Sequence, residues 1–327
     1  MIEFGSIING KQVKGTEWID VFNPYTKKKV GRVASIGLKA LDQVLKDTKK
    51  TKITLTRYER YDILNKIANA LEERVDEVSQ MITDETGLCL KDTRYEASRV
   101  SDVLRFSAMK TLDDDSQVFP CDVSKNGKPR RIYTTRVPLG LISAITPFNH
   151  PMNQVVHKIA PAIATNNTVV LKPSERTPLS AYYFAQLALD CGLPPNMLNV
   201  INGADIQATA EMMTVHPDIT MVSFTGGSRV GKIIASKAGY KKLVLELGGS
   251  SALLVLDDAN IDEAVEITMA GTFKNSAQRC TAIRRILVHE SIANAYASKL
   301  AERVKALKYG DPYNIENDMG TVISEES

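Results

Sequence analysis

Short apolar runs alternate with helical stretches along the chain from residue 139 onward. The apolar runs, typical of buried strands, lie at 141–145, 168–171, 198–201, 221–224 and 243–247. The helical stretches between them lie near 152–164, 179–191, 204–213 and 228–238. Repeated units of this kind predict a parallel sheet covered by helices on both faces, with ligands bound beyond the carboxyl ends of its strands.

The first part of the chain has a different pattern, which predicts a layer of helices. Residues 1–35 indicate short strands and turns. A helix is predicted over 56–75, because Thr56 and Glu59 form a capping box and apolar residues then recur on one face. A further helix is predicted over 94–110.

Residues 119–138 predict a β-hairpin with Asn126-Gly127 between its strands. The turn is polar and basic, so the hairpin is expected to project from the core as an arm. Such an arm pairs with another subunit or caps its own sheet, and the sequence leaves both interpretations open.

A second strand–helix alternation follows the first sheet. It comprises strands at 252–256 and 285–288 and helices near 261–275 and 291–307. Two strands and two helices are few for a domain that must bury its own sheet. We therefore expect the chain to be a C-terminally incomplete fragment.

Composition narrows the functional classes. At 327 residues the chain is long enough for two domains, since single cores stop growing near ~250–300 residues. The 41 Lys and Arg against 38 Asp and Glu leave a net charge of +3, which is too weak to indicate nucleic-acid or membrane partners. The 4 cysteines have no CxxC spacing and the 4 histidines form no cluster, so no metal site is expected. Free thiols and the absence of a leader pattern favour a cytoplasmic protein.

Three residues have the chemistry needed to oxidise an aldehyde covalently. Cys280 is a soft nucleophile in a polar segment, and the guanidinium of the adjacent Arg279 favours its thiolate form. Glu246 ends an apolar strand, where burying a carboxylate is costly unless it has a partner or a chemical role. Asn149 is a short amide donor suited to an oxyanion, although capping the next helix is an alternative role.

Two loops at successive strand ends indicate a dinucleotide site. Lys172 can reach ribose or phosphate oxygens, and Glu175 can accept hydrogen bonds from a ribose diol. The Gly226-Gly227 turn opens a helix, where backbone amides can approach a phosphate. Each loop alone is better explained as an ordinary turn or exposed loop, and only their succession at strand ends favours a site.

Together these segments resemble the aldehyde dehydrogenase superfamily, and the resemblance covers essentially the whole chain. The matching segments, in chain order, are 146–151, 172–175, 224–226, 246–249 and 278–280. They correspond to the family's Asn loop, Lys-Pro-x-Glu cofactor loop, Phe-Thr-Gly turn, Glu-Leu-Gly-Gly segment and Gln-x-Cys nucleophile. Five ordered matches are far more specific than any one of them.

The resemblance implies a role for each site residue. Cys280 attacks the aldehyde, Asn149 holds the oxyanion, Glu246 activates water, and Lys158 lies near the nicotinamide ribose and relays protons. The cofactor is NAD, with NADP as the alternative, because the Glu175 carboxylate disfavours a 2′-phosphate. The cofactor-binding residues implied are Lys172, Ser174, Glu175, Thr225, Gly226, Gly227, Ser228, Leu247 and Gly248.

The chain departs from the family pattern in the cofactor turn and in the two segments that carry Cys280 and Glu246. Gly227 stands where most members have a serine that contacts the pyrophosphate, which is expected to weaken cofactor binding. Ala277 replaces the usual glycine before Gln278, and Ser250 follows Gly249 where Asn or Lys is common.

The Asn149-His150-Pro151 and Gln278-Arg279-Cys280 segments resemble most the branch with phosphonoacetaldehyde, lactaldehyde and non-phosphorylating glyceraldehyde-3-phosphate dehydrogenases. Arg279 suits a dianionic substrate tail, because a guanidinium group binds two phosphate oxygens at once in a bidentate manner. Arg99 and His150 are further candidates for substrate binding. An internal salt bridge of Arg279 remains an alternative.

The expected fold class is therefore α/β, with a parallel-sheet NAD-binding domain, a helical layer, a projecting hairpin arm and an incomplete α/β catalytic domain. The domains are expected at 1–118 with 139–248 for NAD, 119–138 for oligomerisation and 249–327 for catalysis. A homodimer or homotetramer acting on a small aldehyde is implied. The alternative from another class is a non-catalytic nucleotide-binding or interaction fragment.

Overall fold

The computed structural model describes residues 1–15, 17–113 and 115–327. The helices are α1 (Leu38–Lys50), α2 (Arg57–Glu72), α3 (Val75–Thr86), α4 (Leu90–Thr111), α5 (Pro151–Ala164), α6 (Leu179–Asp190), α7 (Ile206–Val215), α8 (Ser228–Lys237), α9 (Ile261–Thr272) and α10 (Ala293–Lys305). The strands are β1 (Ile2–Phe4), β2 (Ser6–Ile8), β3 (Lys11–Val13), β4 (Glu17–Phe22), β5 (Lys29–Ile36), β6 (Gln117–Phe119), β7 (Ile132–Thr134), β8 (Leu141–Ile145), β9 (Thr168–Lys172), β10 (Leu198–Val200), β11 (Asn202–Gly203), β12 (Met221–Thr225), β13 (Lys242–Glu246), β14 (Ser251–Val255) and β15 (Ile283–Val288).

The central sheet has the strand order β13-β12-β8-β9-β10-β2-β3. Its pairs from β13 to β10 are parallel, and β2 and β3 extend it in antiparallel fashion. The α/β class and the parallel sheet predicted from the apolar runs are confirmed. The carboxyl ends of five parallel strands therefore meet at one edge, where ligands of such sheets bind.

Helices cover both faces of this sheet, as the alternation predicted. Ile142 and Ala144 of β8 join a core with α2 to α6, whereas Leu141 and Ile145 join a second core with α1, α7 and α8. Successive residues of one strand point to opposite faces, so a strand covered on both sides is apolar throughout. All of β8 is accordingly buried.

The helical layer is larger than the sequence predicted. The helix predicted over 56–75 is α2, and its capping box at Thr56 is present. The helix predicted over 94–110 is α4, which begins earlier, at Leu90. Helices α1 and α3 were not predicted. A small sheet of β1, β5, β11 and β4 lies beside this layer.

The predicted hairpin is present, although its strands are short. β6 pairs with β7 in antiparallel fashion through Gln117–Phe119 and Ile132–Thr134, and Asn126-Gly127 lies in the loop between them. Val118 and Tyr133 on the two strands are exposed. The arm's role in oligomerisation stays a prediction.

The second alternation forms a smaller unit in which β14 and β15 pair in parallel and pack with α9 and α10. The helix predicted to reach residue 275 is wrong at its end, because α9 stops at Thr272. Residues 308–327 follow an irregular path against the helical layer. Leu90 N donates to Pro312 O, and Thr321 N donates to Gly87 O.

Candidate active site

A cleft of about 700 Å³ lies at the carboxyl edge of the central sheet, facing the loop that precedes β15. Most of the predicted site residues line it. These are Asn149, Lys172, Ser174, Glu175, Thr225, Gly226, Gly227, Glu246, Leu247, Gly248, Arg279 and Cys280. Four predicted residues do not, namely Lys158, Ser228, Arg99 and His150. The fold thus brings the proposed nucleophile, amide donor and carboxylate to one place.

The loop before Cys280 has a strained backbone. Asn275, Ser276 and Ala277 have positive φ angles of 59°, 50° and 60°. A left-handed conformation costs roughly 1–2 kcal/mol for each residue with a Cβ atom. This loop directs the chain away from α9 and presents Cys280 as an exposed thiol in the cleft.

Replacing Ala277 with glycine is expected to stabilise the protein by about 0.5–1 kcal/mol. The substitution relieves the left-handed strain and loses part of that gain to the greater freedom of glycine in the unfolded chain. Ala297→Gly is the matched control, since Ala297 is exposed within α10 and glycine there should destabilise by about 1 kcal/mol. Denaturant unfolding measures both, and equal destabilisation by the two would contradict the strained loop.

Asn149 is held directly against the nucleophile loop. Its side-chain Nδ2 donates to the Gln278 carbonyl over 2.6 Å, and its own carbonyl accepts from Asn275 Nδ2 over 2.9 Å. The amide therefore points towards the residues that flank Cys280. It can serve an oxyanion there only by exchanging the Gln278 carbonyl for the ligand.

Glu246 is exposed, which corrects the expectation of a buried carboxylate. It ends β13, and β13 is the edge strand of the central sheet, so one side of the strand has no neighbour in the described sheet. Its backbone carbonyl accepts from Gly226 N over 3.0 Å, and this bond fixes the strand end beside the glycine turn. Its side chain lines the cleft together with Cys280.

Lys158 lies on α5 beneath the cleft. Its Nζ donates to Ser223 Oγ over 3.1 Å and to Thr225 Oγ1 over 2.8 Å. Burial lowers the pKa of this ammonium to about 8, against an opposing effect of the Glu246 carboxylate. A lysine in this setting holds its proton weakly near neutral pH, so it can give or take one.

The structure also brings in His157, which the sequence did not single out. Desolvation lowers the pKa of its imidazole, the charges of Arg99 and Lys158 lower it further, and Glu246 raises it. His157 is thus close enough to feel the charges of Arg99, a predicted substrate-binding residue, and of Lys158 and Glu246, two predicted catalytic residues. A lone histidine in a helix gives no sequence signal of such a position.

His150 and Arg279 have partners within the protein. His150 Nδ1 lies 3.1 Å from Glu96 Oε2. Arg279 Nη2 donates to the carbonyls of Ala270 and Gly271 at the end of α9, over 2.9 and 2.7 Å. The guanidinium of Arg279 therefore caps a helix, and among the described residues it forms none of the internal salt bridges that the sequence left open.

The cofactor loops fit a dinucleotide. Lys172 Nζ lies 3.3 Å from Glu175 Oε2 at the end of β9, so the pair can face a ribose. Gly227 is the N-cap residue of α8 and has no side chain to bind the first amides of the helix. No heavy atom lies within 4 Å of the position that a Cβ would take there. This opening at the start of a ten-residue helix suits a phosphate group. No group of His, Cys, Asp or Glu among the described residues could hold a metal ion.

Gly227→Ser is expected to tighten NAD binding a few-fold and to leave the fold intact. The serine side chain enters open space at the N-terminus of α8, where a hydroxyl can cap the helix and contact a phosphate. At Gly226 a Cβ would lie 2.5 Å from Phe224 Cζ, so Gly226→Ser is expected to weaken binding. Calorimetric titration with NAD measures both, and a weaker affinity of Gly227→Ser would contradict the assignment.

The profile of the aldehyde dehydrogenase family matches residues 11–327. The chain belongs to the aldehyde dehydrogenase family. Members of this family are NAD(P)-dependent oxidoreductases, and the resemblance inferred from the five motifs is confirmed.

Individual relatives cover nearly all of the chain. A 3-sulfolactaldehyde dehydrogenase of Priestia megaterium is 35% identical over 322 residues, which are 98% of this chain and 67% of that protein. A lactaldehyde dehydrogenase of Methanocaldococcus jannaschii is 33% identical over 326 residues, which are 98% of this chain and 69% of that protein. The structure of a Staphylococcus aureus betaine aldehyde dehydrogenase in complex with NAD⁺ has a TM-score of 0.93 at 28% identity, covering 99% of this chain and 65% of that one. The chain thus spans about 67% of the length of the first relative.

Two further carboxylates of this aldehyde dehydrogenase reach the site from the helical layer. Asp92 accepts from the backbone of the nucleophile loop, and Glu96 accepts from the start of α5. Burial raises the pKa of Asp92, whereas Asn275 N–H and the charges of Arg279 and His150 oppose the rise. The family motifs do not include either residue, and only the three-dimensional contacts reveal them.

Proposed function

We propose that the protein oxidises a small aldehyde to its carboxylic acid through a thioester on Cys280, with NAD as the cofactor. The observation that carries this proposal is the single cleft that gathers Cys280, Asn149 and Glu246 at the sheet edge that also presents the cofactor loops. A nucleophile, an amide donor and a carboxylate are the groups that covalent aldehyde oxidation requires. A CoA-acylating reaction is less suited, because it does not need a carboxylate that activates water.

The chain's own groups have complementary tasks in this reaction. The Cys280 thiolate attacks the carbonyl carbon, and the Asn149 amide with the Cys280 N–H stabilises the resulting oxyanion. Lys172, Glu175 and the Gly226-Gly227 turn would hold NAD, which would supply the acceptor for the hydride lost from this carbon. Glu246 then takes a proton from a water molecule, which attacks the thioester and releases the acid and the Cys280 thiol. The exposed position of Glu246 allows water to reach it.

Lys158 supports this chemistry from below the cleft. Its pKa of about 8 means that it exchanges a proton near neutral pH, and its contacts with Ser223 and Thr225 lead to the end of β12. We assign it the proton relay beside the nicotinamide ribose. Glu175 favours NAD over NADP because a carboxylate repels a 2′-phosphate.

We infer that the substrate carries an anionic tail, such as a phosphonate, phosphate or sulfonate. Arg279 and Arg284 line the cleft, and Arg99 places positive charge near His157. Arg99 lies outside the cleft lining, and we propose it for tail binding because its exposed guanidinium rests over the Tyr95 ring, 5.5 Å from the centroid. Arg279 Nη2, by contrast, already binds two carbonyls. The sulfonated substrate named for the Priestia relative agrees with this tail, and the lactaldehyde relatives favour neutral lactaldehyde as the second candidate.

NADH absorbance with a matched substrate pair tests this assignment. 3-Sulfolactaldehyde is lactaldehyde with one added sulfonate, so the ratio of their kcat/KM values reports recognition of the tail. We expect a preference of about tenfold or more for the sulfonate, since hydrogen bonds to charged groups contribute roughly 1.5–3 kcal/mol. Phosphonoacetaldehyde and glyceraldehyde-3-phosphate extend the panel to the other anionic tails.

Arg99→Leu should abolish this preference and leave kcat/KM for lactaldehyde unchanged. Equal values for the pair in the unmodified protein would assign lactaldehyde instead. Absence of NADH with every aldehyde, despite measurable NAD binding, would support a non-catalytic nucleotide-binding role.

Two wider expectations belong to the same proposal. The exposed apolar residues of the β6–β7 arm suit pairing with a second copy, which would give a homodimer or homotetramer. Among the described residues no helix is long and apolar enough to cross a membrane. We propose that the enzyme works in the cytoplasm, where its free cysteines stay reduced.

A further inference from the structure

Two carboxylates on successive turns of α4 bind the two segments that carry the chemistry. Asp92 Oδ2 accepts from Asn275 N over 2.8 Å, five residues before Cys280. Glu96 Oε1 accepts from Met152 N and Asn153 N over 3.1 and 3.0 Å. Residues four apart lie on the same face of a helix. One helix, α4, therefore binds both the loop before Cys280 and the start of α5.

Each carboxylate accepts hydrogen bonds from backbone N–H groups that have no acceptor in their own helix or loop. The first amides of a helix have no intrahelical acceptor. α5 begins at Pro151, and the side chain of its N-cap residue, His150, accepts none of these amides. Glu96 supplies that acceptor and also contacts His150, next to Asn149. In the nucleophile loop, residues 275–277 are left-handed and do not continue the hydrogen-bond pattern of a helix. Asp92 supplies the acceptor for the backbone N–H of Asn275, the first of these residues.

The two segments are also bonded to each other. Asn275 Nδ2 donates to Asn149 O, and Asn149 Nδ2 donates to Gln278 O. Asn275 therefore connects Asp92 to Asn149, the proposed oxyanion donor. Its backbone N–H binds Asp92, and its side-chain amide binds the Asn149 carbonyl. A displacement of Asn275 would move Asn149 relative to Cys280.

We propose that Asp92 is a positioning residue that sets the placement of Asn149 relative to Cys280, with Glu96 fixing the opposite side. This inference rests on the proposed function, in which Asn149 and Cys280 stabilise the same oxyanion. Asp92 contacts neither substrate nor cofactor in this role. Its effect passes through Asn275, because loss of the acceptor frees the loop from α4.

Kinetics of paired variants test the placement. Asp92→Ala is expected to lower kcat about 10–100-fold, since small misplacements of reacting groups cost on the order of 10²-fold, and to leave the Kd for NAD unchanged. Asp92→Asn keeps an acceptor oxygen and is expected to stay within about threefold of the unmodified protein. Asp102→Ala, exposed on the same helix, is the control and should change nothing.

A double-mutant cycle with Asn149→Ala separates positioning from general structural damage. If Asp92 acts through Asn149, Asp92→Ala should lower kcat by less than about twofold in the Asn149→Ala background. Multiplicative losses in the double variant would overturn the proposal.

Hydrogen exchange of the peptide covering 274–280 gives a second readout that does not need turnover. Its exchange should quicken in Asp92→Ala and return to the original rate in Asp92→Asn. Unchanged exchange in Asp92→Ala would overturn the contact's role in positioning. If instead the unmodified protein forms no NADH while exchange still responds to Asp92, the proposed function fails and the anchoring contact stands.

Discussion

Cys280→Ser is expected to lower the rate of NADH formation at least about 10³-fold, in both the burst and the steady state. A serine hydroxyl is a far weaker nucleophile than a thiolate, and no thioester can form without the sulfur. Cys280 is an exposed thiol at the cleft, so its replacement should not disturb the fold. Stopped-flow absorbance at saturating NAD measures both phases.

Cys121→Ser is the matched control for this change. Cys121 is a free, partly exposed thiol in the arm, outside the cleft, so its loss should leave both phases intact. A Cys280→Ser enzyme that retains a full burst would show that another group attacks the aldehyde.

Glu246→Gln is expected to keep the NADH burst and to slow the steady-state rate about 10²–10³-fold. The amide cannot take a proton from water, so the thioester forms and then accumulates, and general-base catalysis contributes typically 10²–10⁴-fold. Because Glu246 is exposed at the end of β13, the isosteric amide should fold normally. The measurement is the burst amplitude per protein chain against the slope that follows it.

Glu302→Gln, exposed on α10 and outside the cleft lining, is the control for charge alone and should behave like the unmodified enzyme. Loss of the burst together with the steady state in Glu246→Gln would place Glu246 before thioester formation, contrary to the proposed role.

The strands and helices of the central sheet were predictable because local patterns determine them. The strand predicted at 141–145 is observed as Leu141–Ile145, and the others differ by about one residue at their ends. A strand buried on both faces is apolar throughout, and this signal does not depend on distant contacts. The motifs at the strand ends then meet in one cleft because parallel strands end at the same edge.

Long-range features of the site were not predictable from one sequence. Strand order is not encoded locally, so the edge position of β13, and with it the exposure of Glu246, could not be foreseen. The contact between Asp92 and Asn275 joins residues 183 positions apart. The left-handed run at 275–277 includes no glycine that would have indicated it.

Helix α1 is a miss of a different kind. Its buried residues Leu41, Val44 and Leu45 have the spacing of an amphipathic helix. That signal was present in the sequence over 38–50, and the periodicity argument applied to 56–75 would have found it.

The central claim is that the aldehyde becomes a thioester on Cys280, and mass spectrometry of Glu246→Gln tests it most directly. After mixing with NAD and the preferred aldehyde, acid quench and digestion, the peptide that contains Cys280 should gain the mass of the acyl group, and omission of NAD should prevent the gain. An acyl group on any other residue, or an unmodified Cys280 peptide after NADH has formed, would contradict the account.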